Sequence, residues 1–524
     1  MFSKLKRFIA ANPFPALVVI TVLVCGIHLL TIAEYPPAWF DEIEILEIGR
    51  FSIFNIKPEW SIGLITMPDG TLSVPCPYFH YLSGAVLEAL YRLTGGFICG
   101  RIFMLLSLPC CAFALLAYLR EKGISPMVAF IVAGMFLVDP NATICAHWYR
   151  PDLWCMTMIF LALTLIMRSR TSPRSKLLLF ASGALTAMSL FFWITSVLLV
   201  PLVLLEFCLV HRKSDGEGPT SHILPRFVTL FIGGTVATAI LLAPLFKYIP
   251  EIISQYLSIS EVGTVAAVSD TPLSAALGRM YDFIKIACRS PFTWFAAAIG
   301  VFLSRRHLPH AVLFAIIVAF IIATRVYHLR MVYLMPYVYL FTAVSAQRLI
   351  HSGNRLVTRL SKAYLVGALA FGSALAVVAM NFAAWPESNT LTLLTQKLKT
   401  AIPAKAPKVC LVDFEHEFYY AGRRLGWHMY STYDRTKILE EPYAAILDKM
   451  DAVIVSTMLP PLTDKMEQTL RSHGFTNKTE IDMPPSATGR IKPFLASIFY
   501  AHGYPPFTVW SRKPLNSASW RVAK

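Results

Sequence analysis

Apolar residues in this chain come in blocks of about 20, the length a helix needs to cross the hydrocarbon core of a bilayer. Within lipid every backbone N–H and C=O must be satisfied inside the protein, so such blocks fold as helices. Of 524 residues, 56% are hydrophobic and only 15% charged. Soluble domains carry about 25% charged residues, which excludes an ordinary soluble enzyme as well as a disordered or fibrous chain. The chain reads as a polytopic α-helical membrane protein.

A first span is predicted from about Phe14 to Ala33, behind the basic Lys4, Lys6 and Arg7. The run is long and lacks a small-residue cleavage site, so it reads as an uncleaved span. Ten more are predicted at 98–119, 126–146, 152–168, 177–193, 194–210, 227–246, 291–303, 310–325, 331–350 and 363–383, eleven in all. Basic groups at Arg120/Lys122, Arg168–Lys176, Arg212/Lys213, Arg305/Arg306 and Arg348–Lys362 fall in alternate loops. By the positive-inside rule this places the N-terminus in the cytoplasm and the C-terminus outside. It also accounts for much of the net charge of +16, from 47 Lys+Arg against 31 Asp+Glu. No basic stripe or aromatic-basic module points to nucleic acid. The ten cysteines are scattered, with no CxxC, and the Cys110–Cys111 pair sits inside a span as packing.

Two external loops follow, 34–97 and 247–290, the first with an amphipathic stretch from Tyr78 to Leu93 expected to lie at the membrane surface. The chain thus divides into a transmembrane domain, 1–385, and an extracytoplasmic domain, 386–524. In the latter, Lys408–Phe414 and Asp451–Thr457 read as buried strands, and Arg435–Met450 and Thr463–His473 as helices. Their alternation predicts a small α/β domain. It has no GxGxxG, so no nucleotide site is inferred.

Ionisable residues at membrane depth are costly and become functional hypotheses. Asp41, Glu42, Glu44, Asp69, His80, Arg101, Asp139, His147, Arg150, Asp152, Arg325, His328 and Arg330 come from four distant stretches, yet the topology brings all of them to the outer face. Asp41-Glu42, in Tyr35-Pro-Pro-Ala-Trp-Phe-Asp-Glu, suits a base with its orienting neighbour; it also suits a solvated helix start. Asp152, in Arg150-Pro-Asp, suits either a cavity acid or an N-cap. Arg150 suits an anion ligand or an interfacial anchor. Arg325-Val-Tyr-His328-Leu-Arg330 runs against the positive-inside trend, which a bound phosphate would explain, as would snorkelling side chains. His80 and His147 suit substrate contacts or simple packing. There is no metal-ligand spacing. Carboxylates could hold a divalent ion through oxygen ligands, but nothing in the sequence requires one.

Taken together, the acidic pair after the first span, Met67-Pro68-Asp69 through Pro75-Cys-Pro77-Tyr78, Arg101 at the start of the next span, Arg150-Pro-Asp152 and Arg330…Tyr333…Pro336 resemble the GT-C superfamily of membrane glycosyltransferases. The branch is that of protein O-mannosyltransferases and lipid A aminoarabinose transferases, over roughly residues 10–385. The resemblance implies a polyprenyl-phosphate sugar as donor and transfer at the outer face of the membrane; from the chain's length and the absence of extra eukaryotic domains, a bacterial inner membrane is the expected setting. It implies Asp41 as base or acceptor-orienting group with Glu42 its neighbour, Arg330 beside the lipid phosphate and Asp152 facing the cavity. Arg101, His80, His147, Arg150, Arg325, His328 and Tyr333 complete the expected substrate-binding set. The aminoarabinose-transferase pattern around the first acid is not reproduced, and the external domain of eukaryotic mannosyltransferases is absent, so a lipid, glycan or protein acceptor is open. The competing expectation is a transporter or flippase of lipid-linked sugars, which would carry midplane polar residues and internal repeats; no repeat is visible.

Overall fold

The computed structural model describes residues 13–32, 62–63, 81–96, 98–212, 223–250, 272–324, 328–383, 391–402, 409–413, 425–432, 450–456, 461–483 and 506–512, with Ile45, Ile253, Phe418, Ala421, Gly422, Leu447 and Asp448. Two compact units are distinguished: 1–30, 78–83 and 96–381 form one, and 31–77, 84–95 and 382–524 the other.

The first unit is helical. Its elements are α1 (Pro13–Leu29), α2 (Tyr81–Thr94, which the unit boundary divides), α3 (Ile98–Glu121), α4 (Pro126–Leu137), α5 (Pro140–His147), α6 (Asp152–Ser169), α7 (Ser175–Phe192), α8 (Val200–His211), α9 (Ile223–Leu242), α10 (Pro272–Ala287), α11 (Pro291–Leu303), α12 (Leu308–Thr324), α13 (Met335–Ile350) and α14 (Arg355–Gly372). Among the described residues, seven helices are long and apolar enough to cross a membrane. The number rises to nine if α4 with α5 (bent by 51°) and α10 with α11 (bent by 106°) each count as one span. Every predicted window overlaps a helix, but the sequence count of eleven includes α1 and α13, which fall short of that test. The predicted break in the 177–210 block lies at Trp193, between α7 and a short 3-10 turn leading into α8.

Small residues let these helices approach closely, as they do where lipid supplies no hydrophobic drive for association. A Cβ placed on Gly183 of α7 would collide with the Leu230 carbonyl of α9, and one on Gly233 with the Phe180 carbonyl. The α4–α5 break follows from Pro140. Proline cannot donate its i→i−4 bond, and the freed backbone is recovered by Asp139, whose Oδ1 accepts from the backbone N–H of Asn141 at 2.8 Å and of Ala142 at 3.3 Å. Beyond α14 the last span continues as a π-helix, Ser373–Ala379, to Ala383; π-turns recur at functional sites.

The second unit holds a six-stranded mixed sheet, ordered β1-β3-β2-β4-β6-β5. Here β1 is Ile62–Gly63, β2 Val409–Asp413, β3 His428–Thr432, β4 Ala452–Ser456, β5 Asn477–Ile481 and β6 Phe507–Ser511. β2 and β4 match the two predicted strands, and the helix Asp464–Ser472 (α16, after α15 at Leu391–Ala401) matches the second predicted helix, capped by Thr463. Most of the other predicted helix, 435–450, lies outside the described residues. β3, β5 and β6 were not foreseen. β5 and β6 run antiparallel to each other and β6 antiparallel to β4. A core of Leu447, Met450, Val453, Val455, Leu470, Phe475 and Trp510 packs against one face. The 34–97 loop supplies β1 to this sheet, pairing Ile62 with Ser431 and Gly63 with Thr432.

Candidate active site

Asp152 opens α6 and is fully buried. A lone carboxylate there would be costly, and the sequence supplies its partners nearby and far away. Arg150, two residues back, places Nε 2.9 Å from Oδ2 and a terminal nitrogen 3.4 Å from Oδ1. The hydroxyl of Tyr333 donates to Oδ1 at 2.8 Å from 181 residues away. The Arg150 guanidinium also stacks over Trp193, with Cζ 4.5 Å from the ring centroid, a cation–π contact strengthened by burial. Asp152 is therefore not a cap. Pro151 holds the N-cap position without a side-chain bond, and the capping acid of this region is Asp139. Nor is Arg150 an interfacial anchor, since it is buried.

Arg101 sits in the first turn of α3, buried. His147 ends α5, three residues before Arg150, and is fully buried beside His28 of α1. His147 Nε2 and His28 Nδ1 are 2.7 Å apart. Asn381 joins this contact. Its amide nitrogen donates to the Val377 carbonyl at 2.7 Å and also lies 3.1 Å from His28 Nδ1. His147 Nδ1 has no hydrogen-bond partner among the described residues. Arg101 lies within electrostatic reach of that ring. The C-terminal ends of α1 and α5 and the end of the last span are joined by these bonds.

A further acid, Asp139, accepts from Tyr339 at 2.8 Å. Asp139, Asp152, Arg150 and Arg289 all lie within electrostatic reach of the buried Cys145 thiol, so four charges converge on one neighbourhood. Arg289 and Ser290 precede α11 and, with Asp139 and Gly372, line a crevice of about 10 Å³, the size that holds one water. Among the described residues no cluster of metal-ligating side chains occurs.

Of the residues proposed from sequence, the structure brings together Arg101, His147, Arg150, Asp152 and Tyr333 in one unit. Arg330, three residues before Tyr333, is partly buried, its guanidinium 3.3 Å from the Thr324 hydroxyl. Asp41, Glu42, His80 and Arg325 lie outside the described residues, as do Glu44 and Asp69; His328 opens the short helix His328–Met331. Sequence reasoning missed His28, Asn381, Trp193 and Arg289. His28 was the most legible of these, an ionisable residue within the first apolar block. It also missed a second buried ionic cluster at the other end of α3. Glu206 of α8 accepts from Tyr118 at 2.5 Å and from Lys122 at 2.6 Å, and lies 2.9 Å from His310 Nε2 of α12.

The sequence matches no family model and no curated protein. Its fold is similar to that of ArnT from Cupriavidus metallidurans, solved in the apo state, with a TM-score of 0.54 and 13% identity over 96% of this chain and 98% of that one. The oligosaccharyltransferase of Archaeoglobus fulgidus, solved with zinc and sulfate, is similar with a TM-score of 0.50 and 11% identity over 83% of this chain and 68% of that one. At these identities the likeness is one of fold. The chain has an ArnT-like fold, mostly helical, with several helices long and apolar enough to cross a membrane and a small sheet-containing unit toward its C-terminus.

Proposed function

We propose that this protein is a glycosyltransferase that moves a sugar from a polyprenyl-phosphate donor to a lipid, glycan or protein acceptor at the outer face of a bacterial inner membrane. The observation that carries the reading is the buried Arg150–Asp152–Tyr333 cluster, with Arg101 and His147 in the same unit, inside a fold shared with membrane glycosyltransferases. In this reading the N-terminus is cytoplasmic, residues 1–385 form the catalytic transmembrane domain and residues 386–524 lie outside.

Glycosyl transfer passes through an oxocarbenium-like transition state. The acceptor oxygen attacks the anomeric carbon while the bond from that carbon to the phosphate oxygen breaks. The acceptor proton goes to a carboxylate, assigned to Asp41 with Glu42 beside it. Negative charge grows on the departing phosphate, where an arginine stabilises it; Arg101, Arg325 and Arg330 are the candidates, with Arg150 held by Asp152. His80, His328 and Tyr333 complete the proposed contacts. A water-excluding pocket limits hydrolysis of the donor. One displacement gives inversion. The test is purified protein in proteoliposomes with undecaprenyl-phosphate glucose, mannose and aminoarabinose, and a total lipid extract as acceptor. Release of undecaprenyl phosphate with an inverted product supports the reading. Release unchanged in Asp41→Asn removes the assigned base, and a product of retained configuration removes the single displacement.

The bent pairs α4–α5 and α10–α11 support the transporter reading, because discontinuous helices line substrate paths in transporters. Movement of the intact lipid-linked sugar between leaflets, without release of lipid phosphate, would favour it.

A further inference from the structure

The Glu206 cluster has no part in the proposed reaction, and it stands behind a feature that does point to a ligand. Pro201, Leu204, Leu205 and Cys208 of α8 face Leu308, Pro309, Val312 and Ile316 of α12 across an apolar groove of about 590 Å³, within the size range of small-molecule sites. From Leu308 to Ile316 the groove follows α12 for about 12 Å, at 1.5 Å per residue. The floor is pinned by the Glu206–His310 contact, which joins the same two helices from their buried sides. One end of the groove is basic. Arg305 and Arg306 are exposed in the turn just before α12, and Arg212 is exposed just after α8. An apolar channel that ends in two or three exposed guanidiniums matches one chemistry, an acyl chain joined to a phosphate.

We infer that this groove is a binding site for an anionic phospholipid of the bilayer, of the phosphatidylglycerol type, with its phosphate on Arg305 and Arg306 and an acyl chain between α8 and α12. The site is distinct from the proposed reaction centre: α3 runs from Arg101 near one end to Lys122 just past the other, roughly 30 Å apart, and the groove belongs to the Lys122 end. Positive groups of this kind mark the cytoplasmic side, so the lipid belongs to the inner leaflet, whereas the polyprenyl donor of the proposed reaction is used at the outer one.

Cys208 is an exposed thiol in the groove, and Cys288 is an exposed thiol outside it. Purified full-length protein in neutral detergent is treated with a maleimide, with graded phosphatidylglycerol, phosphatidylcholine or undecaprenyl phosphate, and each cysteine is followed by peptide mass analysis. Phosphatidylglycerol should protect Cys208 and leave Cys288 unchanged, at concentrations where phosphatidylcholine does not. Arg305→Gln/Arg306→Gln should raise the half-protecting concentration about 30-fold. Val312→Trp, which fills the groove, should abolish lipid-dependent protection while the Arg pair is intact. Equal protection by phosphatidylcholine, stronger protection by undecaprenyl phosphate, or protection unchanged in the double Arg variant would each overturn the assignment. None of these readouts depends on transferase activity.

Discussion

Two buried ionic clusters occupy the two ends of the transmembrane unit, and they are built differently. Glu206 gathers Tyr118, Lys122 and His310, partners 84 to 104 residues away, and so ties α3, its following turn, α8 and α12 into one packing arrangement. Asp152 takes its charge partner from two residues away and its hydroxyl partner from Tyr333. A pair as local as Arg150–Asp152 contributes little to long-range packing. It fixes the direction of a guanidinium and a carboxylate in a buried place, next to a histidine whose Nδ1 has no partner among the described residues. The first cluster ties helices together, and in the proposed reading the second prepares a site.

This contrast can be broken by mutation. The largest effect on stability is expected from Glu206→Ala. Removing one member of a buried pair leaves Lys122 uncompensated, at a cost of about 3–5 kcal/mol, so the variant should lose most of its thermal stability in detergent. A melting temperature close to wild type would reduce the Glu206 cluster to an incidental contact. Asp152→Asn should behave in the opposite way. Arg150 loses its counter-charge, but the amide oxygen of the variant still accepts a hydrogen bond and Trp193 still faces the guanidinium, so stability should fall by less than in Glu206→Ala, while transfer falls about 100-fold from the loss of a positioned charge; unfolding as severe as that of Glu206→Ala would erase the distinction. Tyr333→Phe removes one hydrogen bond worth about 1 kcal/mol and should lower kcat/KM about tenfold or less with stability nearly unchanged. The smallest effect belongs to the second unit, where His473 lies 2.8 Å from the exposed Asp448. That hydrogen bond holds the Asp448 carboxyl below its ordinary value of 3.8. Its contribution is therefore complete above pH 3.8 and is lost as pH falls further. Asp448→Asn should show at pH 7 the slight loosening of β6 hydrogen exchange that the wild type acquires only below pH 4, with no further acid dependence of its own, the difference being small as expected of an exposed pair.

Much of the architecture was legible because the bilayer leaves few options. An apolar block of span length must be helical, so all eleven windows overlap helices even though α1 and α13 are too short to pass as spans. Asp152, Arg150, Arg101, His147 and Tyr333 were legible as polar residues where polarity is costly. Their partners were not. The role of Asn381 depends on a π-helix in the last span, and that of Glu206 on helices that meet only in the folded chain. Asp139 looked like one more member of an outer-face set and is instead the cap that repairs the break at Pro140. In the second unit the buried strands β2 and β4 stood out as apolar runs, whereas β5, with its alternating Asn477-Lys-Thr-Glu-Ile481, reads as a polar loop until β6 pairs with it.

The central claim, that the Arg150–Asp152 end of the molecule performs sugar transfer from a lipid phosphate, is tested most directly by measuring release of undecaprenyl phosphate in proteoliposomes by wild type and by folded Asp152→Asn. The account predicts acceptor-dependent release by the wild type and a loss of about 100-fold in the variant. Equal release by the two proteins, or no release by wild type from any of the three donors, would contradict it.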